Sequence, residues 1–147
     1  MKTEAAKCAA EIRKALKAKG IKASVRSDNF SMGDSVRVKI ANIVGPKVLG
    51  QLKSEFSKYE YGRFDGMQDL YEYTNLRDDI PQTKFLTIEY DYKALDGFLA
   101  KLVEFIRPRI NLDSDFEYQR MASRVLDGSE DWITWDEVQH LASEVAA

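Results

Sequence analysis

Hydrophobic positions in the first twenty residues recur at helical spacing. Cys8, Ala9, Ile12, Ala15 and Leu16 form one stripe, and Lys7, Arg13, Lys14 and Lys17 fall largely on the remaining face. Thr3 stands where a side chain can cap the first turn and Gly20 where a chain can leave the last, so the pattern predicts a helix over residues 4–19. The period then changes to two. Ile21, Ala23 and Val25 alternate with Lys22, Ser24 and Arg26, and Val36, Val38 and Ile40 alternate with Arg37 and Lys39, as half-buried strands do. Residues 27–35 are polar and turn-forming, which predicts a hairpin with Arg26, Arg37 and Lys39 on its outer face. Phe30 and Met32 are apolar residues within that loop, either folded back on the core or available for contact.

Gly45-Pro46 opens a second helix, with Val48, Leu49, Leu52 and Phe56 as its stripe over residues 46–58. From Tyr61 to Tyr73 the chain reads as a glycine-hinged loop, with Gly62 and Gly66, that ends in an aromatic strand over 69–73. A fourth strand is expected over residues 84–92, where Leu86, Ile88 and Tyr90 oppose Phe85, Thr87 and Glu89. Leu95, Phe98, Leu99, Leu102, Phe105 and Ile106 make the most apolar helix, over 93–107, and Pro108 ends it. Two further helices start at capping boxes, Ser114–Glu117 and Thr134–Glu137, with Gly128 stopping the first and Trp132 and Trp135 as packing anchors of the second.

This order predicts an α+β fold: a four-stranded, mainly antiparallel sheet with helices on one face, followed by a C-terminal acidic helical pair. Residues 1–110 would form the α+β domain. Residues 111–147 would be a helical extension, packed on that domain or separate from it.

At 147 residues with 44% hydrophobic content the chain can bury one real core. No apolar run reaches the roughly 20 residues of a membrane span, and the lysine-rich start lacks the apolar segment of a secretion signal. Cys8 is the only cysteine, which excludes an internal disulfide and any multi-cysteine metal site. A cytoplasmic setting is expected.

Charge is distributed unevenly behind the net −2. Residues 1–63 carry 14 Lys/Arg and 6 Asp/Glu (+8), whereas 111–147 carry 2 and 9 (−7). Two solvated faces that happen to differ account for this; so does a basic surface for nucleic acid with an acidic one for a basic partner.

Catalytic groups are sparse. His140, the only histidine, stands near the chain end in a helical pattern, and Cys8 lies on an apolar stripe. Asp28, Asp34, Asp65 and Asp69 would supply oxygen ligands to a cation if their loops met. Aspartates beside glycine and asparagine more often form turns, however, and no calcium-loop spacing is present. Phosphate-loop and dinucleotide fingerprints are absent too. The expectation is a protein without catalytic activity, metal or cofactor.

Aromatic residues near strands (Phe30, Phe64, Tyr71, Tyr73, Tyr90 and Tyr92), with Arg26, Arg37, Arg63 and Arg77 close in sequence, give the best functional signal. Such residues stack bases in single-strand binders and anchor protein interfaces equally well.

Two segments carry a family resemblance: Ser24 to Val38, with its Gly33-Asp34-Ser35, and Gly62 to Tyr73, with Phe64-Asp65-Gly66-Met67 and Tyr71-Glu72-Tyr73. Over roughly residues 10–92 the chain resembles the large polyvalent-protein-associated domains of phage and conjugative-plasmid proteins. The resemblance implies a mobile-element setting in a bacterial host, where some such proteins are suspected of blunting defences. It implies no reaction.

Together these readings place a contact surface on the two loops, with Phe30, Met32, Arg26, Arg37, Phe64, Asp65, Met67, Tyr71 and Glu72 contributing. The function expected is binding and inhibition of a host protein, a CRISPR or other defence complex among the targets. The alternative is a nucleic-acid-binding module that uses the basic hairpin face and the strand aromatics.

Overall fold

A computed structural model describes residues 3–130 and 133–146 of the chain. Trp132, one of the two expected anchors, lies outside the described residues, as does the side chain of Trp135. The chain divides into two compact units that exchange segments: Met1–Ile40 with Leu52–Glu89, and Ala41–Gln51 with Tyr90–Ala147. The expected division at residue 110 falls inside the second of these.

In the first unit, helix α1 (Glu4–Ala18) starts as its sequence requires, with the Thr3 hydroxyl accepting from the Ala6 N–H. Its stripe of Ala5, Cys8, Ala9, Ile12 and Leu16 is buried. That stripe packs on strands β1 (Ala23–Phe30) and β2 (Gly33–Ile40), where Val25, Val36, Val38 and Ile40 are buried. The two strands pair antiparallel from Ala23↔Ile40 to Phe30↔Gly33. The loop expected over residues 27–35 is therefore almost entirely strand, with only Ser31 and Met32 left as the turn. Polar composition misled here, because none of residues 27–35 is fully buried and no hydrophobic alternation marks the hairpin's far half.

Strand β5 (Phe85–Tyr90) joins β2, giving the order β1-β2-β5. Asp34, near the start of β2, accepts from the Lys84 N–H at the start of β5. The expected four-stranded sheet is thus three-stranded. The missing member sits in a separate hairpin, β3 (Arg63–Asp65) with β4 (Leu70–Glu72), paired Arg63↔Glu72, Phe64↔Tyr71 and Asp65↔Leu70. These three-residue strands pair with each other and not with β1, β2 or β5.

In the second unit, helix α3 (Tyr92–Ile106), capped by Asp91, packs against α4 (Asp115–Asp127) and α5 (Trp135–Ala146). Phe98, Leu102, Ile106, Tyr118, Ala122, Val125, Ile133 and Val138 form its core. Within this unit the apolar stripe of α3 packs against the two acidic helices, while α2 (Gly45–Phe56) opens at Gly45-Pro46 as the sequence predicts. Both caps are present, since the Ser114 and Thr134 hydroxyls accept from the N–H groups of Glu117 and Glu137. The first box is not reciprocal, because the Glu117 carboxylate reaches Asp113 N–H, one residue beyond the cap. Gly128 ends α4 at φ 86°.

Candidate interaction surface

Lys84 and Phe85 hold the tips of the two hairpins together in the first unit. The Lys84 ammonium donates to the Met32 carbonyl at 2.9 Å and lies 5.0 Å from the Tyr71 ring centre. Phe85 stacks on Phe30 (6.4 Å between centroids, 21° between planes) and meets the edge of Tyr71 at 5.6 Å. The Tyr71 hydroxyl donates to the Lys84 carbonyl at 2.6 Å. Tyr61 and Tyr73 stack on each other at 5.6 Å, and both contact Tyr71. A continuous aromatic run therefore leads from Phe30 through Phe85 and Tyr71 to Tyr61 and Tyr73.

The base of the β3–β4 hairpin is fixed by buried polar groups. Gln82 accepts from the Arg77 N–H and donates to the carbonyls of Lys58 and Asn75. Thr83 donates to Asp34. Tyr61 N–H donates to the Thr83 carbonyl and Thr83 N–H to the Tyr59 carbonyl. Gly62 is required by close approach: a Cβ there would lie 2.1 Å from the Glu72 carbonyl oxygen and 2.5 Å from the Tyr71 ring.

On this braced platform several apolar side chains face solvent. Met67 is 97% exposed, Met32 79%, Leu70 58%, Phe64 55% and Phe30 45%. Tyr73 and Leu76 are exposed beside them in sequence. Asp65 does not present a free carboxylate, because one of its oxygens accepts from Met67 N–H at 2.9 Å and shapes the turn. Asp34 is committed to Thr83 and Lys84. Among the described residues no three His, Cys, Asp or Glu are placed to hold a metal. Glu72 is half-buried opposite Arg63.

Arg26 and Arg37 lie directly opposite each other on the exposed face of the first hairpin, with Lys39 two residues further along. Of the remaining aromatics, Tyr90 is half-buried and accepts from the N–H groups of Val44 and Gly45, and Tyr92 is an exposed residue opening α3. Sequence reasoning missed Lys84 and Phe85. Their signal was available only as the outward-facing start of an alternating strand, which says nothing of the second hairpin.

Burial pushes the Cys8 thiol up to about 12, and burial also raises the hydroxyls of Tyr59, Tyr61, Tyr71 and Tyr90 above their ordinary values. His140 is exposed on α5. Several carboxylates of the acidic segment have local partners. Asp115 binds Arg107 at 2.7 Å, Glu130 binds Arg124 at 2.6 Å, and Asp127 accepts from Ser129 N–H; hydrogen bonds from the Ser129 side chain and backbone hold the Asp127 carboxyl below its ordinary pKa. No helix among the described residues is long and apolar enough to cross a membrane.

The model of one family, large polyvalent protein associated domain 29, matches residues 3–95. That range runs from the cap of α1 through both hairpins into the first turn of α3, so it takes in the whole braced platform and leaves the acidic helices outside. No curated protein and no solved structure matches the chain. The chain belongs to the large polyvalent protein associated domain 29 family, which associates it with phages and mobile elements.

Proposed function

We propose that the protein is a non-enzymatic accessory of a phage or mobile element that binds and inhibits a protein of its bacterial host, in the cytoplasm. The observation that carries this reading is the set of exposed apolar side chains, Met32, Phe64, Met67 and Leu70, on hairpins held rigid by Lys84, Phe85 and Tyr71. Exposed apolar groups cost solubility unless a partner covers them, and methionine and aromatic residues are enriched where protein partners meet. A braced platform loses little conformational entropy on docking. A CRISPR or other defence complex is the target class to test first. The lack of catalysis is part of the proposal, and the engagement of Asp65 and Asp34 in local hydrogen bonds supports it.

The test is capture from host lysate, with and without nuclease treatment, by the native chain and by Met67→Asp. A nuclease-resistant protein partner lost in the variant is the expected result. Met67 is almost wholly exposed, so the substitution leaves folding intact. A metal-dependent nuclease activity abolished by Asp65→Ala would overturn the non-enzymatic reading.

A second reading rests on Arg26 and Arg37. Two like charges held opposite each other, beside Lys39, form a cationic stripe suited to phosphates. Single-stranded DNA binding in physiological salt that disappears in the Arg26→Ala, Arg37→Ala double variant would favour nucleic acid over the host protein.

A further inference from the structure

We propose that β1 is a self-recognition edge: two copies of the chain associate antiparallel through it, with the two-fold axis at Ser27. The register of the first hairpin sets this edge, which is separate from the hairpin-tip surface. Only Ser31 and Met32 separate the first two strands, so Phe30 and Gly33 must be the hydrogen-bonded pair that closes the hairpin. Bonded pairs then recur at Asp28–Ser35, Arg26–Arg37 and Ser24–Lys39. The backbone N–H and C=O of Val25, Ser27 and Asn29 consequently point away from β2. The Arg13 guanidinium reaches the Val25 carbonyl at 2.7 Å, an independent sign of that direction.

The order β1-β2-β5 gives β1 no second neighbour among the described residues, and Arg26 to Phe30 are all exposed. An unpaired edge of this kind is a template for another strand. Arg13 covers one end of it, which leaves Ser27 and Asn29 as the open donors and acceptors.

Charge selects both the occupant and the register. A second copy of β1 centred on residue 26 would set Arg26 against Arg26, and one centred on 28 would set Asp28 against Asp28. Centring on 29 sets Asp28 against Phe30. Centring on Ser27 sets Arg26 against Asp28 of the second copy twice, once on each side of the axis. Both pairs stand at non-hydrogen-bonded positions of the new ladder, where side chains approach most closely. Ser27 meets its own copy by two backbone hydrogen bonds, and the Asn29 carbonyl faces the Val25 N–H, while the Val25 carbonyl stays with Arg13. A strand-only interface is small, so the association is weak and concentration-dependent.

Sedimentation equilibrium of the full chain tests this. A monomer–dimer equilibrium is expected to emerge at roughly 0.1 mM chain. Ser27→Pro removes an N–H that the monomer leaves unpaired, so the fold persists while dimerisation is lost. Arg26→Asp and Asp28→Arg, each alone, place like charges together and weaken association by about tenfold; the double exchange restores it. A monomer at all concentrations up to roughly 1 mM would overturn the proposal. So would a dimer indifferent to Ser27→Pro, or, should that variant not fold, one indifferent to the charge exchanges.

Discussion

Gly62, Gly66 and Asp69 show what single residues disclose and what they hide. Both glycines read from sequence as hinges, yet Gly66 has open space around it, and the left-handed backbone of the loop falls on Asp69 at φ 53°. Aspartate tolerates that region better than most residues because its short side chain can hydrogen-bond locally. Gly62 is fixed by the Glu72 carbonyl and the Tyr71 ring, a reason that no local pattern could announce because the two obstacles lie ten and nine residues away. Gly62→Ala is therefore expected to destabilise the protein by about 1–3 kcal/mol through overpacking against backbone. Gly50→Ala, inside α2 with nothing near its missing Cβ, should stabilise it by about 0.5–1 kcal/mol. Urea denaturation of the two variants checks both signs. Equal effects from the pair would refute the steric account.

Elements were legible where the burial period is carried by several residues. The stripe of α1, the alternation around Val25 and Val36–Ile40, and the apolar face of α3 all lie where the pattern puts them. The far half of the first hairpin was not, because residues 27–35 carry no buried face to mark them, and nor was the partner of β4, because three-residue strands are too short for a period. Capping chemistry was readable residue by residue. Ser114→Ala removes the acceptor for Glu117 N–H and is expected to cost about 1 kcal/mol, measured as a loss of thermal stability.

The first hairpin supplies a prediction of opposite sign. Arg26 and Arg37 face each other in register, and like charges directly opposite repel. Arg37→Glu turns repulsion into attraction and should stabilise the fold by about 0.2–1 kcal/mol. The gain should shrink in high salt, where exposed charges are screened. An unchanged melting temperature in low salt would show that the two side chains splay apart.

At the scale of the molecule, the exchange of segments between units escaped sequence reasoning. Gly45-Pro46 announces a helix start and nothing more, while the assignment of residues 41–51 to the second unit is tied to a contact 45 residues away, the Tyr90 hydroxyl bound to Gly45 N–H. The family match over residues 3–95 spans both hairpins of the first unit together with residues 41–51 of the second. One property runs through both units: burial raises the pKa of Cys8, Tyr59, Tyr61 and Tyr71 in the first and of Tyr90 in the second. Each group is neutral when protonated, and the fold holds that neutral form. Between the ordinary values, 9.0 for the thiol and 10.0 for the phenols, and the raised ones, the unfolded chain has released protons that the folded chain retains. Stability is then complete below about pH 9 and falls as the pH rises above it. Melting temperature measured from pH 7 to 11 should be level at first and then decline steadily. Cys8→Ala should soften the decline nearest pH 9, because it removes the group with the lowest unfolded value. A melting temperature that held or rose between pH 9 and 11 would show that these side chains titrate as freely in the folded protein as in the unfolded chain.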